Sequence, residues 1–134
     1  MEFPEINYLA VLVSALAFFA IGSIWYSPAL FAKTWMKELG ITAENTTKPN
    51  MLKTFGVSFL LMLVMAFNLA AFIGNGMGWQ FGMTAGALTG IGWVALAMGI
   101  NYLFERRSFR FWLINAGYMA VSFTLMGTII GAWQ

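Results

Sequence analysis

The chain has 134 residues, of which 60% are hydrophobic, 17% aromatic and only 9% charged, where a soluble domain carries about a quarter charged residues. A soluble fold of this length cannot hide so much apolar surface, so the expected solvent is the bilayer. With no cysteine and no histidine, disulfides, thiol chemistry, imidazole proton shuttling and most zinc, haem or iron–sulfur ligation are excluded, and no cofactor or metal is expected.

The N-terminal stretch MEFPEINY is acidic where a signal peptide is basic, and no small-residue cleavage site follows the apolar run after it. The first apolar run, 6–26, is therefore expected to be a retained transmembrane helix. It ends in Trp25 and Tyr26, which mark an interface, followed by Ser27 as an N-cap and Pro28 at the first helical position. A short helix is expected over 28–39, with Phe31, Trp35 and Leu39 at spacing four, Lys33 and Lys37 on the opposite face, and Gly40 to end it. About three turns cannot span a bilayer, so this reads as an interfacial helix, aromatic side toward lipid or bundle and lysines toward anionic headgroups. It anchors the protein, with gating of a cytoplasmic entrance or docking of a partner as the alternatives. The loop 41–50, with Thr46, Thr47 and Pro49, caps the next span, and its Asn45-Thr46-Thr47 acceptor pattern is taken as chance.

Three more apolar runs follow, 51–73, 80–104 and 111–133, with Lys53 at the mouth of the first as their one charge. Lys33, Lys37, Lys48, Lys53, Arg106, Arg107 and Arg110 all fall on one side of this layout, opposite Glu2, Glu5, the uncharged turn at 74–78 and Gln134. The positive-inside rule then places both basic connections in the cytoplasm and both termini outside, so the +2 charge is topological and implies no nucleic acid. Tyr102 and Trp112 join Trp25 and Tyr26 in an inner aromatic belt, with Tyr8, Trp79 and Trp133 in an outer one. The expected fold is all-α, a four-transmembrane-helix bundle with a short cytoplasmic interfacial helix after the first span, in one membrane domain over 1–134. The small, cysteine-free chain suits a bacterial cytoplasmic membrane.

Gly78, Gly82, Gly86 and Gly90 recur every four residues in the third span, and Gly127 with Gly131 forms a second such pair in the fourth. Rows of this kind let helices approach closely. One row is expected to serve inside the protomer, leaving the other for self-association, with a dimer favoured. The methionines read as adaptable filler rather than a metal path.

Polar groups inside the spans are costly unless paired, so Asn68, Asn101 and Asn115 should face protein or water. Asn101 and Asn115 share a depth on neighbouring helices and are expected to bond each other. The functional reading is a polar and aromatic pocket toward the cytoplasmic leaflet, formed by Asn101 and Asn115 with Tyr118 and Trp93, a tryptophan near mid-span; Trp25, Tyr26 and Asn68, the last in the outer third, are further ligand-binding candidates. Arg106, Arg107, Arg110, Lys33 and Lys37 are candidates for headgroup or anion contact, beside their plain role in topology.

The series Trp25-Tyr26-Ser27-Pro28, Leu30-Phe31, Trp35-Met36 and Gly40-Ile41 after an alanine-rich first span, with the stretch from Asn115 to Tyr118, resembles the small bacterial membrane proteins of domain-of-unknown-function family 1761. The resemblance implies an integral membrane protein over nearly the whole chain and transfers no catalytic residues. The function expected is a non-enzymatic module that binds membrane lipid or a small apolar ligand and self-associates. A facilitator or transporter of a neutral solute, or an accessory subunit of a membrane complex, is the alternative. No span holds an acidic residue for proton-coupled exchange, and no base, metal site or charged anchor for a membrane enzyme stands out beyond the Glu105 to Arg110 cluster.

Overall fold

The computed structural model describes residues 5–41 and 50–133. Glu2, Asn45, Thr46, Thr47, Lys48, Pro49 and Gln134, on which parts of the sequence reading rest, lie outside the described residues. Among the described residues all regular structure is helical: α1 Tyr8–Trp25, α2 Ala32–Leu39, α3 Met51–Ile73, α4 Gly78–Thr89, a π-helical turn Gly90–Ala95, α5 Leu96–Phe104 and α6 Phe109–Ala132. Helix α4, the π turn and α5 run on as one rod, Gly78–Phe104, which with α1, α3 and α6 makes four helices long and apolar enough to cross a membrane.

Three of these helices start on side-chain caps that satisfy otherwise orphaned backbone donors. Asn7 accepts from the Ala10 N–H at 3.1 Å, Asn50 from Lys53 at 3.2 Å, and Ser108 from Phe111 at 3.0 Å. The helix expected over 28–39 is shorter, because Ser27 closes α1 instead of opening α2. Its hydroxyl donates to the Ile24 carbonyl at 2.7 Å, and its own carbonyl accepts from the N–H groups of Leu30 and Ala32. The chain therefore turns through 26–31 and becomes α-helical at Ala32. Gly40 ends α2 at φ 71°, with the Ile41 N–H donating to the Met36 carbonyl at 2.9 Å; a side chain there would be strained.

Helix α6 is the most buried of the four spans and packs against α1, α3 and α4. Its contact with α4 is backbone to backbone. A Cβ added at Gly82 would fall on the Gly127 carbonyl and 2.9 Å from the Gly131 Cα; one at Gly86 would fall on the Phe123 carbonyl; one at Gly131 would fall on the Gly78 carbonyl. Gly90 continues the seam: a Cβ added there would lie 3.0 Å from the Met119 carbonyl oxygen. The two glycine rows thus face each other within one chain, which corrects the expectation that one would be left over for self-association. Beside the seam, Phe18 of α1 meets the rings of Tyr118 and Phe123 edge-on at 5.2 and 5.4 Å, over a core with Met126, Ala66, Leu69 and Ile130.

The two ends of the bundle are tied differently. At one, Asn75 exchanges two backbone bonds with Glu5, at 3.1 and 3.0 Å, and Asn7 donates to the Trp133 carbonyl at 3.0 Å. At the other, which carries Lys33, Lys37, Lys53, Arg106, Arg107 and Arg110, the Ser108 hydroxyl donates to a Glu38 carboxylate oxygen at 2.6 Å and so fastens α2 to the start of α6.

Candidate functional site

At the basic end α3 stays on α1, where the Phe19 ring meets Phe55 and Phe59 edge-on at 5.6 and 6.3 Å, but leaves a space toward α6. Every residue over 51–57 is exposed, whereas Ala66, Leu69, Ala70 and Ile73 near its other end are buried. Two adjoining cavities open in the space, about 640 and 620 Å³, which share Tyr26, Thr54, Ser58, Tyr118 and Met119 in their walls. The first runs up between α1 and α3 past Phe19, Gly22, Met62 and Met65. The second passes under α2, along Trp35, Met36 and Leu39, to Tyr102, Phe111 and Asn115. Through these shared walls they form one groove. Its described lining holds no Asp, Glu, Lys or Arg.

The polar groups of the groove form a short directed chain. The Tyr26 hydroxyl donates to Asn115 Oδ1 at 2.5 Å, and Asn115 Nδ2 donates to the Tyr102 hydroxyl oxygen at 3.3 Å. Asn115 is buried, and an amide in such surroundings is costly unless bonded. The Tyr118 hydroxyl reaches across to the Phe18 carbonyl at 3.2 Å, and Gly22 makes room for it: a Cβ there would lie 2.7 Å from that oxygen. Trp25 donates its indole N–H to the Ile114 carbonyl at 2.8 Å. Both residues expected as an interfacial belt, Trp25 and Tyr26, are therefore half-buried and turned inward, because their donors find acceptors on α6. Ring contacts Trp25–Phe31 at 4.9 Å and Tyr26–Trp35 at 5.6 Å then hold α2 and its approach against the mouth of the groove.

Across the bundle the π turn is pinned to α6. Such a turn shifts the helical hydrogen-bond ladder by one residue, and the Ala95 carbonyl at its end accepts the Trp112 indole N–H at 2.8 Å. Gly99 leaves the space for that ring, whose Nε1 would sit 3.2 Å from an added Cβ. The π turn also carries Trp93, which is 79% exposed. With Asn68, Thr89 and Phe72 it borders a separate cavity of about 470 Å³ between α3 and α4.

The residues singled out from sequence are thus distributed over three places. Asn115, Tyr118 and Tyr26 line the groove, and Trp25 braces it from behind. Asn68 and Trp93 lie together at the second cavity. Asn101 is exposed, and the expected Asn101–Asn115 bond is replaced by the two tyrosine bonds of Asn115: the last turn of α5 aims Tyr102, not Asn101, at α6. Lys33, Lys37, Arg106, Arg107 and Arg110 are exposed, Arg107 lying 3.7 Å from Glu105 and 5.3 Å above the Phe111 ring. Sequence reasoning missed Tyr102, Thr54, Ser58 and the π turn; the one available signal was the Gly90-Ile91-Gly92 spacing before a mid-span tryptophan. Ser14 and Ser122 are buried with hydroxyls unpartnered among the described residues, and they line neither cavity. Among the described residues no three His, Cys, Asp or Glu side chains come together as a metal site.

A family model described as "protein of unknown function (DUF1761)" matches residues 9–131. No curated protein and no solved structure matches the chain.

Proposed function

The chain belongs to the DUF1761 family of proteins of unknown function, and on that premise we propose that it is a non-enzymatic membrane module whose groove between α1, α3 and α6 holds a lipid chain or a small apolar molecule. The observation that carries this reading is the uncharged, mostly apolar space left between α1, α3 and α6 at the basic end. Four helices packed only for stability would close that gap, since lipid-embedded helices gain by close contact. In this reading the protein is multi-pass in a bacterial cytoplasmic membrane, with the basic end inside, both termini outside, and α2 in the interface over the groove's mouth. The exposed Lys33, Lys37, Arg106, Arg107 and Arg110 then sit among headgroups.

Self-association belongs to a different surface from the glycine rows. Asn68 and Trp93 stand exposed on the α3–α4 face, within the apolar length of their helices, where acyl chains offer neither a partner. A second copy seated on this face by two-fold symmetry supplies an acceptor to the Trp93 N–H and both donor and acceptor to the Asn68 amide, and makes a dimer.

Native mass spectrometry of protein released from nanodiscs tests both statements. The wild type should carry a reproducible lipid or small molecule and appear as a dimer. Ser58→Trp, which fills the shared wall of the groove, should lose the bound mass, and Asn68→Leu should lower the dimer fraction. A bare wild type, or bound mass unchanged by Ser58→Trp, would sink the groove reading.

A further inference from the structure

On the reading of the groove as a binding site, we infer that it is built for an alkyl chain headed by an uncharged oxygen acceptor, an ester or ketone carbonyl, received by the Tyr102 hydroxyl. The donors on α1, α5 and α6 that meet at Asn115 can be followed in turn; of the other lining hydroxyls Ser23 donates to the Phe19 carbonyl at 3.1 Å, while Thr54 and Ser58 stand on the opposite wall, on α3, outside this chain. The single proton of Tyr26 goes to Asn115 Oδ1, and that of Tyr118 goes to the Phe18 carbonyl. One amide proton of Asn115 goes to the Tyr102 oxygen. Tyr102 accepts that bond, and no described group accepts its own proton. A hydroxyl that already accepts is a better donor, because bonds in such a chain polarise one another. The chain Tyr26 to Asn115 to Tyr102 therefore runs in one direction and ends in an unused O–H, held by the Phe111 ring at 5.0 Å in the wall of the groove.

This surplus selects among ligands. A cation finds donors in front of it and no carboxylate among the described lining residues. An anion finds a donor but no lysine or arginine there, and a desolvated carboxylate without a partner is strongly disfavoured. A pure hydrocarbon leaves the donor unsatisfied. An uncharged carbonyl oxygen satisfies it and lets the alkyl chain run up past Phe19, Met62 and Met65. The same chemistry is available from the ester of a membrane lipid and from a free neutral amphiphile.

The test compares methyl dodecanoate, tridecane, dodecanoate and dodecylammonium as probes for purified full-length protein in detergent, by thermal shift and thermophoresis. The ester should bind about 10-fold tighter than tridecane, the size of one net hydrogen bond, and tighter than either ion. Tyr102→Phe should lower ester binding to the tridecane level and leave tridecane unchanged. In wild type the infrared band of a carbon-13-labelled ester carbonyl should move to lower wavenumber on binding, which decides the matter even if Tyr102→Phe does not fold. Equal binding of ester and tridecane, tighter binding of an ion, or an unshifted carbonyl band would overturn the assignment while leaving the groove as a binding site. Failure of all four probes to bind would remove the groove reading itself. Repeating the ester titration in nanodiscs of ester-linked and ether-linked phosphatidylcholine separates the sources: weaker ester binding in ester-linked discs means the lipid's own carbonyl occupies Tyr102, and equal binding means a free amphiphile does.

Discussion

Along α6 the stretch 119–131 lies backbone to backbone on α4, while the stretch 111–118 is separated from α3 by the groove and joined to α1 through aromatic rings and a buried amide. The side chains explain the contrast. Gly82, Gly86, Gly127 and Gly131 present no Cβ, so the two helices close until the backbone of one fills the space a side chain on the other would take. Tyr118, Phe111 and Asn115 are bulky or polar; they hold the helices apart and need partners, which come from Tyr26, Tyr102 and the Phe18 carbonyl. Small residues in this molecule make the stable seam, and large ones make the space.

The strongest way to break that comparison is to give the seam a side chain. Gly82→Leu should cost about 3 kcal/mol or more, because a rigid carbonyl and not a flexible side chain occupies the space. Thermal unfolding in detergent reads the loss, and an unchanged midpoint would mean the seam is looser than drawn. Next in size is the polar link across the groove. A double-mutant cycle of Tyr26→Phe and Asn115→Leu should show coupling of about 1 kcal/mol, whereas Asn101→Leu should be additive with Asn115→Leu. Coupling in the second cycle and none in the first would restore the Asn101–Asn115 pair. Trp112→Phe should cost about 1 kcal/mol by removing the indole bond to the Ala95 carbonyl, and hydrogen exchange at the π turn should rise locally. The smallest effect sharpens the contrast from the other side: Gly56 in the exposed start of α3 has nothing within 4 Å of an added Cβ, so Gly56→Ala should stabilise by about 0.5 kcal/mol. A loss there would show that α3 packs more tightly than the groove requires.

How much of this was legible beforehand depended on the kind of signal. Four long apolar runs, the basic connections on one side and the glycine periodicity are properties of single helices, and each is visible in the residue string. Gly40 at the end of α2 is equally local, set by one backbone conformation. Pairing across helices is not local. Residues 101 and 102 differ by about 100° around the axis, so equal depth alone could not say whether Asn101 or Tyr102 faces Asn115. The Ser27 hydroxyl has two acceptable uses, capping forward or bonding back to Ile24, and composition does not choose between them. The mutual fit of both glycine rows, and the inward turn of Trp25 and Tyr26, likewise depend on which helix lies beside which. Of the groove, Asn115, Tyr118 and Tyr26 were named beforehand as pocket candidates, but its α3 wall at Thr54 and Ser58 was not, because that wall depends on how closely α3 approaches α6.

Methyl NMR in nanodiscs addresses that space directly, because both regions carry a methionine on α6. Met119 lines the groove and is half-buried, whereas Met126 is fully buried in the core. Cross-relaxation from protonated acyl chains should reach the Met119 methyl, stay absent at Met126, and vanish at Met119 in Ser58→Trp. Silence at both methyls in the wild type would contradict the account, leaving α6 sealed along its whole length and the groove closed to lipid.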